Sequence, residues 1–292
     1  MEEQDLLVQL KNQYHMFSKG QKQIATYIMD NYDRAAFATA SKMGRAVGVS
    51  ESTVVRFAYM MGFDGYPALQ RALQEMIRNK LTSMQRIQLT SDMAQPDILK
   101  NVLKADMQNI RATIDSVDEQ AFEQAVAAIL GAPRIYIVGM RSAYPIAQFL
   151  SYYLNFISAG VVITNNALHD PCEAVASIGP SDVCLAISYP RYSTRTVDAI
   201  HYARERGACT IAMTDSHASP LAAHAEHLLL ARSDMASFAD SLVAPLSLVN
   251  AIIVAAGQNS REYLLEQFDR LERLWDDQQV YVKTRNMAER ML

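Results

Sequence analysis

Five short runs rich in valine and isoleucine constrain this chain more than any other feature: RIYIVG at 134–139, GVVITN at 160–165, DVCLAIS at 182–188, ACTIAMTD at 208–215 and EHLLLA at 226–231. Each is apolar nearly throughout, so each demands burial on both of its faces, and helical stretches separate them. Strands of that kind alternating with helices form a parallel sheet covered on both sides. The runs therefore predict an α/β three-layer doubly wound domain with a five-stranded parallel sheet. Ligands of such sheets sit beyond the carboxyl ends of the strands, which directs attention to the loops after Val138, Thr164, Ile187 and Thr214.

The chain before residue 80 has a different pattern, with helical periodicity throughout. The stretch Thr39 to Tyr66 reads as two short helices around a turn. Thr39 or Ser41 can cap the first, which runs to Val47 with Met43, Ala46 and Val47 as its apolar stripe. Gly44 has no side chain to hold a second helix away, and Gly48 can take the left-handed conformation that ends a helix. Ser50 then caps a helix from Glu51 to about Met61, with Val54, Phe57, Ala58 and Met61 inward. Its outer face holds Glu51, Ser52, Thr53, Val55, Arg56 and Tyr59. A helix-turn-helix inserts the start of its second helix into the major groove, which brings Glu51, Ser52 and Val55 to base edges. Thr53 and Arg56 then serve phosphates, or a guanine edge in the case of Arg56, and Lys42 and the capping Ser50 complete the DNA-binding candidates.

Around this core, Ser18 to about Asn31 forms a helix with Ile24, Ala25, Ile28 and Met29 inward, and a short helix lies near Arg34 to Ala38. Pro67 opens another that runs through Leu69, Leu73 and Ile77 to about Lys80. Leu6, Leu7 and Leu10 make a small apolar face in the first sixteen residues. The segment Phe17 to Leu73 resembles the DNA-binding domain of the RpiR family of bacterial transcription regulators. The resemblance lies in I-A-x-Y-I at Ile24 to Ile28, in the G-V-S-x-x-T-V-V-R-F core, and in G-F-D-G-Y at Gly62 to Tyr66. It implies that a sugar-isomerase (SIS) domain binding a phosphorylated sugar follows.

The expected organisation is an all-α helix-turn-helix domain at 1–80, a linker at 81–96 rich in Ser, Thr and Gln, an SIS-like domain at 97–280 and a tail at 281–292. Leu99, Val102, Leu103, Met107, Ile110 and Ile114 mark one face of a helix that opens the second domain.

After the first strand comes G-M-R-S-A, Gly139 to Ala143, and after the third S-Y-P-R-Y-S-T, Ser188 to Thr194; each leads into a helix. Glycine for a sharp turn, hydroxyls, one arginine per loop and free helix amides suit an anion. The ligand candidates are Gly139, Arg141, Ser142, Ser188, Arg191, Ser193 and Thr194. Arg134 to about Ala231, including T-D-S-x-x-S-P-L-A at Thr214 to Ala222, resembles the SIS domain. The chain departs from its pattern in both loops. Arg141 and Ala143 replace the second glycine and the serine of G-x-G-x-S. Pro190 and Arg191 stand where S-x-S-G-x-T has serine and glycine. The two arginines strengthen anion binding or fill the cavity.

Charge divides unevenly. Residues 1–80 carry ten Lys and Arg against eight Asp and Glu, a balance of +2, and the remainder seventeen against twenty-three, or −6. Lys19, Lys22, Lys42, Arg45, Arg56 and Arg71 are the candidate basic face. No apolar run reaches the roughly 20 residues of a membrane span, and the start MEEQDLLVQLKNQ is acidic, so the expectation is a cytoplasmic protein with no membrane association. Cys172, Cys184 and Cys209 lack metal-ligand spacing, and neither metal nor cofactor is expected. Cys184 and Cys209 read as buried thiols and Cys172 as a loop residue.

An isomerase needs a base and a ring-opening acid. His169, Glu173, His201 and His217 have no fixed spacing, so no catalytic residue is assigned. Tyr144, Phe149, Tyr152, Tyr153 and Phe156 are too many rings for one core stripe and, with a long helix over Ser241 to Trp275, suggest a subunit interface. The reading is a transcription regulator that binds double-stranded DNA, with an inverted repeat as target, as a homodimer or dimer of dimers. Its effector is a phosphorylated sugar and its genes those of carbohydrate or amino-sugar metabolism. The alternatives are a sugar-phosphate isomerase with an accessory helical domain, and a regulator whose effector pocket is closed.

Overall fold

The computed structural model describes residues 6–77, 84, 86–87, 98–164, 170–235 and 239–282. The expected linker at 81–96, residues 78–80, His169 and most of the tail lie largely or wholly outside the described residues. The chain divides into two compact units, Met1–Ala105 with Asp234–Asp240, and Asp106–Ser233 with Ser241–Leu292.

The first unit is helical: α1 Leu6–Gln13, α2 Lys19–Asp30, α3 Tyr32–Ala35, α4 Ala40–Val47, α5 Glu51–Met60 and α6 Gly65–Ile77. Its core gathers Leu10, Ile24, Ile28, Met43, Val54, Phe57, Leu69 and Leu73, all fully buried. Each such side chain contributes about 1.5–3 kcal/mol by leaving water. Leu6 and Leu10 belong to this core, so the first helix is part of the fold. Tyr66 and Gln70 both donate to the Ala38 carbonyl, at 2.6 and 2.8 Å, which ties the start of α6 to the corner before α4. Within the same unit Arg86 bonds Asp240 at 2.9 Å, and Met235 packs on the helical core.

The second unit contains β1 Ile135–Gly139, β2 Val161–Thr164, β3 Val183–Ile187, β4 Cys209–Thr214 and β5 His227–Leu230, all parallel in the order β2-β1-β3-β4-β5. Successive side chains alternate between faces, and two separate cores result. Ile135, Ile137, Leu185 and Ile187 meet helices Glu119–Gly131 (α8), Tyr144–Leu154 (α9) and Val243–Asn259 (α12). Tyr136, Val138, Cys184 and Ala186 meet Ala199, Ile200 and Ala203 of the helix Thr194–Glu205 (α11). This is the three-layer doubly wound architecture that the five runs predict.

Several local expectations change. Helix α7, Ile98–Ser116, turns its apolar stripe outward, with Leu99 70%, Met107 69% and Ile114 67% exposed. Asn109 and Thr113 are the buried positions instead. The Thr113 hydroxyl donates to the Asn109 carbonyl at 2.8 Å and accepts from the Arg232 amide at 2.9 Å, so polar partners fix that face. The expected long helix from Ser241 is two helices, α12 and α13 (Arg261–Asp277), bent by 97°. Gly257 leaves Leu264 room at the bend: a Cβ there would lie 3.3 Å from the Leu264 Cδ1. Ala46 is exposed, and the inner stripe of α4 is Ala40, Met43 and Gly44, with Val47 half-buried. Among the described residues no single helix is long and apolar enough to cross a membrane.

Candidate functional site

The turn between α4 and α5 is built from small residues. Thr39 Oγ1 accepts from the Lys42 amide at 3.1 Å and starts α4. Gly48 ends it at φ 74°, where an L side chain would be strained. A Cβ on Gly44 would stand 2.8 Å from the Val49 carbonyl oxygen, so only glycine lets the turn close on the first helix. Ser50 Oγ then accepts from the Thr53 amide at 3.3 Å and lies 2.9 Å from Ser52 Oγ and 2.8 Å from Thr53 Oγ1. This hydroxyl is occupied by capping, and the other two are gathered at the start of α5.

Val54, Phe57 and Ala58 anchor α5, with the Phe57 ring edge-on to Phe17 at 5.5 Å. Opposite them, Glu51, Ser52, Arg56 and Tyr59 are exposed, and Thr53 and Val55 half-buried. Arg56 Nε donates to the Ser52 carbonyl at 3.3 Å, which lays the guanidinium stem along its own helix. Lys19, Lys42, Arg45 and Arg71 are exposed as well. Lys22 sits over the Tyr14 ring at 5.8 Å, at the rim of an open groove that Lys19, Thr26, Tyr27 and Val47 also line. The start of α2 reaches the turn, since a Cβ on Gly20 would lie 3.4 Å from Val49 Cγ1. The groove beside α2 depends on tertiary packing and had no sequence signal beyond its lysines.

In the α/β unit the register pairs Gly139 with Ile187, so the loops after β1 and β3 leave adjacent strands at the same sheet end. Gly139 is buried, and a Cβ there would lie 2.8 Å from Ala147 Cβ and 3.1 Å from the Ala143 carbonyl oxygen. Its bareness lets α9 approach the strand. Arg141 and Ser142 are exposed in the short turn that opens α9. Ser188 is buried, and its hydroxyl accepts from the Ser193 amide at 3.1 Å, closing the second loop on itself. Arg191 and Thr194 are exposed at the start of α11, and Ser193 is half-buried.

Arg141 and Arg191 adopt φ of 55° and 66°. These are the positions where the resembling pattern has glycine, and the backbone keeps a glycine-like conformation while carrying arginine. A left-handed L-residue costs about 1–2 kcal/mol, and such strain concentrates at functional positions. Two contacts at this end of the sheet had no earlier signal. The Tyr192 hydroxyl donates to Asp215 at 2.8 Å, and Arg195 bonds Asp170 at 3.2 Å. Thr214 donates to Ser219 at 2.8 Å, so the T-D-S-x-x-S-P run also closes on itself.

Among the described residues the candidate acids and bases do not converge. The Glu173 carboxylate accepts from the Asp170 amide at 3.2 Å as part of the capping box of the short helix Pro171–Ala174 (α10). His201 stacks on His224 at 4.7 Å and faces Glu205 at 3.6 Å, and His217 is an exposed loop residue. Burial pushes the Cys184 thiol up to about 12, and burial with Glu226 beside it pushes Cys209 up to about 11, so neither is a thiolate nucleophile at neutral pH. Cys209 is only half-buried, unlike the sequence expectation, because it opens its strand.

A helix-turn-helix with a presented outer face, in one chain with a doubly wound α/β unit whose loops suit an anion, defines the class of DNA-binding regulators with a small-molecule sensing fold. Comparison with known proteins agrees. Residues 4–80 match the helix-turn-helix domain of the rpiR family and residues 128–255 match the SIS domain. An uncharacterized HTH-type transcriptional regulator of Haemophilus influenzae is 28% identical over 229 residues, 77% of this chain and 79% of its own. The sugar isomerase domain of an RpiR transcription factor from Sphaerobacter thermophilus superposes with TM-score 0.58 at 29% identity, over 61% of this chain and 99% of that one. The Vibrio vulnificus NanR protein, solved with ManNAc-6P, shares the fold with TM-score 0.56 at 21% identity, over 93% of this chain and 98% of its own. The chain belongs to the RpiR family of helix-turn-helix transcription regulators, with an SIS domain as its α/β unit. Its curated relatives are named as regulators of transcription, which supports a regulator and not an enzyme.

Proposed function

We propose that α5 reads DNA while the loops after β1 and β3 bind a phosphorylated sugar that shifts DNA affinity, in control of carbohydrate or amino-sugar genes. The observation that carries the DNA half is the α4–α5 turn, which Gly44 and Gly48 close and Ser50 caps, leaving a polar face outward. Glu51, Ser52 and Val55 meet base edges; Lys42, Thr53 and Arg56 hold phosphates, and Ser50 orders the helix start. Lys19 and Lys22 extend the basic surface along α2.

For the effector, the free amides at the start of α11 face the phosphate, and Arg141, Arg191, Ser142, Ser193 and Thr194 surround it. The Ser188 hydroxyl holds the loop rather than the ligand. NanR, a protein of the same fold, was solved with a phosphorylated amino sugar, which supports this class of effector. The chain works in the cytoplasm as a homodimer or dimer of dimers on an inverted repeat. Exposed Leu103, Met107 and Ile114 on α7, and Tyr152 and Tyr153 on α9, supply apolar surface for a second copy. A ligand moves DNA affinity only as far as it prefers one arrangement of the readers.

Selection of bound duplexes from a random DNA pool at near-physiological salt tests the DNA half. An inverted repeat is the expected product, and salt-sensitive binding without a motif contradicts it.

A further inference from the structure

At the end of the sheet opposite the loops after β1 and β3, two neighbouring parallel strands bring three metal-type ligands together. Cys209 opens β4, His227 opens β5 and Glu226 immediately precedes it. The sulfur, a carboxylate oxygen and an imidazole nitrogen all lie within 4.8 Å of one another. The cysteine spacing along the chain carries no trace of this, because the register that pairs Ile211 with His227 creates the cluster.

The backbone around it is fixed by more than that ladder. The Glu226 amide donates to the Thr210 carbonyl at 2.8 Å, and the Thr210 hydroxyl donates to the His224 carbonyl at 2.8 Å. Cys209 and His227 are half-buried, Glu226 is exposed and β5 is an edge strand, so an ion reaches the cluster from solvent.

We propose that Cys209, Glu226 and His227 bind one zinc-class divalent transition-metal ion, with water as the fourth ligand. A thiolate, an imidazole and a carboxylate are a donor set that Zn²⁺ accepts as a tetrahedron with one open position. Bonds of about 2.3 Å to sulfur and about 2.0–2.2 Å to nitrogen and oxygen place tetrahedral donors roughly 3.3–3.6 Å apart. From separations of up to 4.8 Å the cluster reaches that spacing by contracting about 1.5 Å at most, which side-chain torsions can supply. Calcium and magnesium are the wrong class, since they take oxygen ligands. On binding, the Cys209 proton passes to solvent and the sulfur bonds the metal. The ion clips the edge strand β5 to β4 and stabilises the folded state by mass action, away from the effector end. Metal binding here is independent of what the chain binds at its other sites.

The test is a titration of chelator-treated full-length protein with Co²⁺, followed by absorbance. The expected result is tetrahedral d–d bands with a near-ultraviolet sulfur-to-cobalt band, saturating at one equivalent and bleached by Zn²⁺. Cys209→Ser removes the sulfur band, and His227→Gln and Glu226→Gln each weaken Co²⁺ binding at least about tenfold. Cys172→Ser and His201→Gln leave the spectrum unchanged. Circular dichroism before titration identifies any variant that fails to fold, and the exposed Glu226→Gln keeps the test decisive if Cys209→Ser does. No sulfur band in the wild type, or a band that survives Cys209→Ser or is lost in Cys172→Ser or His201→Gln, overturns the proposal.

Discussion

The two units use arginine and glycine in opposite ways. In the helix-turn-helix, glycine stands where the backbone needs it: Gly48 takes φ 74° and Gly44 admits the Val49 carbonyl. Arg56 rides on the outer face of a regular helix. In the α/β unit, Arg141 and Arg191 occupy left-handed positions that glycine would fill without strain. The helix-turn-helix therefore keeps its scaffold relaxed and carries its charge on an exposed face. The loops after β1 and β3 place their arginine charge on the strained positions themselves. Strain retained at two loops of one sheet end supports the binding role proposed for them.

The largest effect separates scaffold from reader. Phe57→Ala empties a fully buried ring site and costs about 3–5 kcal/mol in urea unfolding followed by circular dichroism, with DNA binding lost as the helical unit melts. Next, Gly139→Ala introduces a Cβ 2.8 Å from Ala147 Cβ and costs about 1–3 kcal/mol in the same measurement. A stability change near zero would return Gly139 to the list of pure ligand contacts. Arg56→Ala leaves stability within about 0.5 kcal/mol, because the side chain is exposed, and weakens DNA binding alike for all sequences, with the salt slope lowered by about 1, in a fluorescence-anisotropy titration. The smallest effect has the opposite sign. Arg141→Gly and Arg191→Gly each relieve about 1–2 kcal/mol of strain against an unfolded-state entropy penalty of about 0.5–1, for a net gain of up to about 1.5 kcal/mol. Both lose affinity for inorganic phosphate by calorimetry. A variant that gained stability and kept its anion affinity would end the role proposed for these arginines.

Legibility in the sequence followed how local the cause was. The five strands were readable because burial on both faces makes each run apolar from end to end. The α4–α5 turn was readable because Gly44, Gly48 and Ser50 act within a few residues. Amphipathic spacing on α7 gave an apolar face but not what covers it, and the structure turns Asn109 and Thr113 inward where Arg232 supplies a partner. The break at Ser260 carries neither proline nor glycine at the break itself and was invisible as a result. The site loops were the least legible. Ser188 and Glu173 look like ligand or acid–base residues but are engaged in closing a loop and capping a helix. Tyr192 reaches Asp215 only through the fold.

The most direct test is the affinity of purified protein for its selected duplex, measured with and without a panel of sugar phosphates that includes phosphorylated amino sugars. At least one of them should shift the dissociation constant several-fold, by a coupling of about 1–3 kcal/mol, in the wild type and not in Arg191→Ala. Sequence-specific binding that no sugar phosphate alters, with no binding of any of them to the free protein, would contradict the account.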